Sequence, residues 1–175
     1  MRPFKALAAL ALSATTATAA PAPEGLRFAA IDGGEIALDD FRGQPVLVVN
    51  TASRCGFTPQ YDGLQALYAR YGPRGLVVLG VPSDDFNQEL ADEAAVKGFC
   101  EVNFNLTFPM TEITHVKGAQ AHPFYRWLKA EHGFEPGWNF NKVLLGPDGE
   151  VVATYGSFTR PNARKLTARI EASLD

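Results

Sequence analysis

Apolar residues fall along this chain in two patterns, short unbroken runs and runs with helical spacing, and their order predicts the fold. Pro45-Val46-Leu47-Val48-Val49-Asn50 is continuous and β-branched, as a strand buried on both faces should be. From Asp62 to Tyr71, the residues Leu64, Leu67, Tyr68 and Tyr71 recur at the i, i+3, i+4, i+7 spacing of one helical face, and Gly72-Pro73 stops the pattern. Leu76-Val77-Val78-Leu79-Gly80-Val81 is a second unbroken strand. Strand, helix, strand in this order predicts a parallel pair with a right-handed crossover. Upstream, Leu26 to Ile31 and Glu35 to Leu38 flank Asp32-Gly33-Gly34 and predict a hairpin.

The second half repeats the two patterns in another order. Glu89 to Cys100 predicts a helix with Val96, Phe99 and Cys100 on one apolar face. Ala121 to His132 predicts another, with Phe124, Trp127 and Leu128 inward. Lys142 to Leu145 and Val151 to Tyr155 read as strands whose link, Gly146-Pro147-Asp148-Gly149, is short enough to make them antiparallel. Pro161 to Leu174 predicts the closing helix, with Pro161 at its first position and Leu166, Ile170 and Leu174 on one face. The sum is an α/β fold, a four-stranded mixed sheet with flanking helices and an N-terminal hairpin. β-α-β followed by β-β-α is the thioredoxin plan.

Composition narrows the chemistry. The 175 residues make one domain, 46% apolar and 20% charged, enough to bury a core. A net charge of −3 argues against nucleic acid as a partner. Two cysteines and three histidines are too few for a cysteine-based zinc centre, and no glycine-rich dinucleotide fingerprint or P-loop is present. No metal and no cofactor is therefore expected. Residues 1–19 carry Arg2 and Lys5, an apolar run from Ala6 to Leu12 and an Ala17-Thr18-Ala19 site, the pattern of a cleaved export signal. The run is too short to span a bilayer. Residues 20–25 are then a loose start, residues 26–175 the domain, and the product is exported, periplasmic in a Gram-negative source. Removal of two basic and no acidic residues leaves the domain more acidic than the whole chain.

Cys55 follows a buried parallel strand and precedes a helix, in Thr51-Ala52-Ser53-Arg54-Cys55-Gly56-Phe57-Thr58-Pro59-Gln60. Function in open α/β sheets gathers at the carboxyl ends of strands. A helix start offers unpaired N–H groups and a positive dipole end, and Arg54 adds a charge, all of which favour a thiolate. The other reading of Cys55 is a buried structural cysteine. Thr58 stands where a C-x-x-C site would have its second cysteine, which turns the reading away from a dithiol oxidoreductase.

The run Val49 to Tyr61 around Cys55 strongly resembles the active-site segment of the glutathione peroxidase family. Three further stretches match in order: Gly80 to Glu89, Phe108-Pro109-Met110, and Trp138-Asn139-Phe140-Asn141-Lys142. The likeness runs from about Leu26 to Leu174. It implies peroxide reduction on a thioredoxin fold, with the family's tetrad on Cys55, Gln88, Trp138 and Asn139. Cys55 would be the peroxidatic residue, passing through a sulfenic acid. Gln88, the Trp138 indole and Asn139 would donate hydrogen bonds to charge on the sulfur and the leaving oxygen. Read without the resemblance, Trp138 caps the core, Asn139 fixes a turn and Gln88 is a solvated loop residue. The family usually has two residues between its Phe and the Gln-Glu pair, and here only Asn87 lies there. Asp84-Asp85 replaces the usual Asn-Gln. The reach of Gln88 toward Cys55 is thus a question for the structure.

Gly98-Phe99-Cys100-Glu101-Val102-Asn103-Phe104 resembles the resolving segment of the family's two-cysteine, thioredoxin-dependent members. Another cysteine common in the family is Ser83 here, so Cys100 is the one available partner for Cys55. Three readings stand for Cys100: a resolving thiol, half of a permanent bridge, or an inert buried thiol. The expected substrates are hydrogen peroxide and organic or lipid hydroperoxides. The expected reductant is a thioredoxin-like protein or glutathione, the latter less supported because no Arg/Lys cluster is evident for its carboxylates. Only Gly133 to Gly137 separates the third helix from Trp138, whereas tetrameric members carry a long insertion there, which implies a monomer. His115, His122 and His132 read as structural, without obvious partners. The competing function is thiol/disulfide exchange on protein substrates in the cell envelope, and a third is a non-catalytic thioredoxin-fold module.

Overall fold

The computed structural model describes residues 20–174. The export-signal reading of residues 1–19 lies outside them. Strand β1 (Arg27–Ala29) pairs antiparallel with β2 (Glu35–Ala37) in a two-stranded hairpin. The main sheet holds β3 (Val46–Thr51), β4 (Val77–Pro82), β5 (Lys142–Leu145) and β6 (Val151–Tyr155) in the order β4-β3-β5-β6. β3 and β4 are parallel, joined through helix α1 (Gln60–Tyr71); β3–β5 and β5–β6 are antiparallel. Helices α2 (Glu93–Phe104), α3 (Pro123–His132) and α4 (Arg164–Leu174) complete the thioredoxin arrangement.

Alternation along each strand sorts the core into two layers. Leu47, Val49, Val78 and Leu144 face Leu64 and Leu67 of α1, Val96 of α2, and Leu166 and Ile170 of α4. Val46, Val48, Leu79, Val81 and Val143 face Phe28 of the hairpin and Phe124, Trp127 and Leu128 of α3. Each fully buried Leu or Val contributes about 1.5–3 kcal/mol. Gly80 is in β4 because of what crosses it. A Cβ there would lie 3.1 Å from Phe108 and 3.2 Å from Met110. The Phe108–Thr111 segment bonds to the Gly80 backbone on both sides, N–H to Pro109 carbonyl at 3.0 Å and carbonyl to Thr111 N–H at 2.9 Å.

Several helix boundaries differ from the pattern-based ones. Helix α2 begins at Glu93, not Glu89, because the Asp92 carboxylate caps the Ala95 N–H at 2.8 Å while Glu89 turns inward. It runs on to Phe104, where Asn105 takes the left-handed conformation (φ 48°) and closes the helix. Helix α4 begins at Arg164, not Pro161. Pro161 is buried against Gly63 of α1, within 3.0 Å of where a Cβ would be, and a turn from Arg160 to Ala163 intervenes. Helix α1 starts at Gln60, and α3 at Pro123, where the His122 ring accepts from the Phe124 N–H at 3.2 Å. The histidines do have partners. His115 Nδ1 lies 2.7 Å from Asp85, the other ring nitrogen of His122 lies 2.7 Å from the Arg27 carbonyl, and His132 packs on Trp127.

Candidate active site

Cys55 sits at the carboxyl end of β3, in a loop of overlapping turns that feeds directly into α1. The Thr58 N–H donates to the Cys55 carbonyl, Gln60 to Phe57 and Tyr61 to Thr58, at 2.9–3.0 Å. Thr58 braces the loop from inside. Its hydroxyl accepts from the Cys55 N–H at 3.0 Å and donates to the Ala52 carbonyl at 2.8 Å. The residue in the second-cysteine position is thus a buried strut, not a redox partner. The Phe57 N–H donates to Cys55 Sγ at 3.4 Å, and the thiol is 7% exposed. A backbone donor aimed at sulfur can hold negative charge that develops there during a reaction. The Arg54 guanidinium is exposed and makes no ion pair among the described residues.

The shortened loop after β4 still brings Gln88 to the site. The Arg54 N–H donates to the Gln88 carbonyl at 2.9 Å, and Asn139 Nδ2 donates to Gln88 Oε1 at 3.0 Å. The loop manages with one residue fewer because Asn87 adopts a left-handed backbone (φ 56°) that Asn tolerates, donating its N–H to the Asp84 carbonyl. The acidic pair that replaces Asn-Gln anchors it. The Asp84 carboxylate accepts from the Glu89 N–H, and the Asp85 carboxylate accepts from Val116 and Lys117 N–H and pairs with His115. Those bonds outweigh partial burial and hold Asp85 below the usual carboxylate range. Glu89 is inside, accepting from Ser53 N–H at 3.0 Å and Leu90 N–H at 2.8 Å. Burial raises its pKa.

Trp138 is 40% exposed, its ring packed on Phe86 at 5.3 Å and its indole N–H without an acceptor among the described residues. Its backbone is fixed by two asparagines the sequence reading gave no role. Asn50 Nδ2 and Asn141 Nδ2 both donate to the Trp138 carbonyl, at 3.0 and 2.5 Å, and the Asn141 N–H donates to Asn50 Oδ1 at 3.1 Å. Asn139 is fully buried, its carbonyl bonded by Ser157 at 2.6 Å. Phe140 follows with φ 60°, a conformation strained for a phenylalanine, held by its N–H to the Asn50 carbonyl and by Lys142 Nζ to its own carbonyl at 2.8 Å. Lys142 is fully buried, with Gln60 Oε1 at 2.5 Å as its other acceptor. Burial lowers its pKa to about 7. Gln60 in turn donates to the Ser157 carbonyl at 2.6 Å.

A continuous set of hydrogen bonds therefore joins the Cys55 loop, Gln88 and Asn139, with Trp138 beside Asn139 and packed through Phe86 on the loop that carries Gln88. The Trp138 indole N–H and the Gln88 amide hydrogens have no acceptor among the described residues, so they are free to donate to an incoming oxygen. Cys100 is outside this set. It lies 1% exposed on α2, in the core layer that Cys55 also borders, and both thiols are free. Burial, with Glu89 and Glu101 adding to it, pushes its pKa up to about 11. The braces Asn50, Asn141, Ser157 and Lys142 join residues far apart in the chain, whereas Thr58 acts within its own turn. Asn50, Thr58, Asn141 and Lys142 do lie inside the matched segments, the one signal that could have found them. No group of three metal-ligating side chains occurs among the described residues.

Known proteins place this arrangement. The glutathione peroxidase family profile matches residues 25–129. The hydroperoxy fatty acid reductase gpx1 of Synechocystis is 45% identical over 159 residues, 83% of this chain and 91% of that protein. The glutathione peroxidase-like peroxiredoxin GPX5 of Chlamydomonas reinhardtii is 43% identical over 156 residues, 86% of this chain and 95% of that one. Among solved structures, Trgpx in its apo form superposes with a TM-score of 0.67 at 33% identity, covering 85% of this chain and 92% of that one. A thiol:disulfide interchange protein of the thioredoxin family from Chlorobium tepidum gives 0.69 at 14% identity over 92% of this chain and all of that one, a likeness of fold alone. The profile match and the identities over most of each chain settle the family: the chain belongs to the glutathione peroxidase family and is a peroxidase acting on hydroperoxides.

Proposed function

We propose that Cys55 is the peroxidatic residue, that Gln88, Trp138 and Asn139 serve its transition state, and that Cys100 resolves the oxidised form. The observation that supports this most is the pairing of a sulfur-directed N–H, from Phe57, with unengaged donors on Gln88 and Trp138. The Cys55 thiolate attacks one peroxide oxygen. The S–O bond forms as the O–O bond breaks, sulfur is oxidised to the sulfenic acid, and the other oxygen leaves with a proton as water or an alcohol. The Cys100 thiolate then attacks that sulfur, expelling water and forming a disulfide. Two thiols of a thioredoxin-like protein, or two glutathiones, return both cysteines to the reduced state. The strut role of Thr58 speaks against the dithiol-exchange alternative.

The substrates in this reading are hydrogen peroxide and organic or lipid hydroperoxides. The protein acts as a monomer outside the cytosol after loss of residues 1–19, which N-terminal sequencing of the protein from its host would check. The decisive experiment is mass spectrometry of Cys100→Ser after one equivalent of hydrogen peroxide. One added oxygen on Cys55 supports the scheme. A Cys55–Cys100 bridge that persists in the wild type under mild reductant sinks the resolving role.

A further inference from the structure

A cavity of about 640 Å³ opens beside the thiol, lined in part by Gly56 and Phe57, the two residues that follow Cys55. Its walls are mixed, with Gln60, Asn162 and Arg160 as the polar part and an aromatic pair with two prolines as the apolar part. The Phe57 and Phe158 rings meet edge to face at 5.1 Å, with Pro59 and Pro161 alongside. Phe158 is 89% exposed, presented by the turn between β6 and α4. A phenyl ring left in water beside an open cavity marks a binding surface more often than a packing one. The cavity also has a single charged group, Arg160, and no carboxylate in its lining. The Arg160 guanidinium makes no ion pair or hydrogen bond among the described residues, in a chain whose net charge is −3.

Hydrogen peroxide needs none of this. Two adjoining rings suit a long hydrocarbon chain laid along them, and an unpaired planar guanidinium suits a carboxylate, which it can hold with two parallel hydrogen bonds. We infer that this cavity is an acyl-chain subsite, in which the adjoining Phe57 and Phe158 rings pack along the chain and Arg160 binds the terminal carboxylate of a free long-chain hydroperoxy acid. The inference rests on the peroxidase reading of Cys55. An esterified acid lacks the anion that Arg160 would hold, so the enzyme would separate free acids from esters and not merely lipids from hydrogen peroxide.

The test compares kcat/KM for an 18-carbon unsaturated hydroperoxy acid, its methyl ester and hydrogen peroxide, with both lipids below their micellar concentrations. The wild type should favour the acid over the ester by about tenfold, the worth of a charge-assisted hydrogen bond. Arg160→Gln should bring that ratio to about one, through KM more than kcat. Arg160→Lys should restore part of it, and Phe158→Ser should lower acid and ester together relative to hydrogen peroxide. Equal rates on acid and ester in the wild type would overturn the inference. So would a preference that survives Arg160→Gln, one that is lost instead in Arg54→Gln, or equal use of a phosphatidylcholine hydroperoxide. If the wild type reduces none of the three peroxides, the failure is that of the peroxidase reading. In that case calorimetric titration of Cys55→Ser with the parent fatty acid still decides the subsite: binding that weakens in Arg160→Gln supports it, and no binding ends it.

Discussion

The two cysteines share a core layer and little else. Cys55 sits in a braced loop, with a backbone donor on Sγ, a threonine strut beneath it and a hydrogen-bonded Gln and Asn beside it. Cys100 sits in the body of α2, where burial pushes its thiol up to about 11. One is preorganised; the other is silenced by its surroundings and needs them to change. Helix α2 is suited to that change. It has Gly98 in its interior and Val102 turned out to solvent, and only Val96 and Cys100 are fully buried. An ion pair from Lys97 to Asp32 ties it to the hairpin turn. In the proposed scheme, folding keeps the Cys100 thiol protonated until oxidation of Cys55 calls on it.

The largest effect that would break the contrast is Cys55→Ser, which should cost about 10⁴-fold or more in peroxide consumption. Retention of activity through Cys100 would show that the assignment is reversed. Next is Cys100→Ser. With a thioredoxin-like reductant its steady-state turnover should fall by about a hundredfold, while the Cys55 sulfenic acid accumulates and is captured by a dimedone-type probe. A third measurement follows disulfide formation after a single oxidation by stopped flow. The rate should rise about tenfold per pH unit while Cys100 is mostly thiol. A plateau near the ordinary thiol value of about 8.5 means attack from an opened helix. A continued rise toward about 11 means attack from the closed one. The smallest effect is expected of Lys97→Gln. It loosens an exposed tether and should speed disulfide formation by no more than about fivefold. A slower rate would assign the ion pair to the reactive geometry instead.

The strands and the order of elements were legible because unbroken apolar runs and helical spacing are local signals. Helix starts were less so. Asp92 and Glu89 both suit a helix N-terminus by type, and the choice went to Asp92 because Glu89 is recruited by Ser53, a contact made across the sheet end. Pro161 suits a first helical turn equally well but is held against Gly63 of α1. The nucleophile was legible from its place after a buried strand. Gln88 and Asn139 became so through the family likeness, and the structure adds the bond between them. What was not legible is the bracing. The contacts of Asn50 with Trp138 and of Lys142 with Gln60 each span more than 80 residues, and no periodicity encodes them. The Asp85–His115 pair is of the same kind.

The buried amine of Lys142 has a consequence for the whole fold. In the unfolded chain it holds its proton up to about pH 10.4, whereas in the folded protein it releases it near pH 7. Between those values the unfolded state binds more protons than the native one, so stability rises with pH through that window. About three pKa units correspond to something of the order of 4 kcal/mol gained from neutral to alkaline solution. Denaturant titrations of the wild type and of Lys142→Met from pH 7 to about 8.5, below the range in which the Cys100 thiol ionises in the unfolded chain, should show a midpoint that climbs in the first and not in the second. The residue that ties the Phe140 carbonyl to the start of α1 would make the protein firmer in mild alkali than at neutrality.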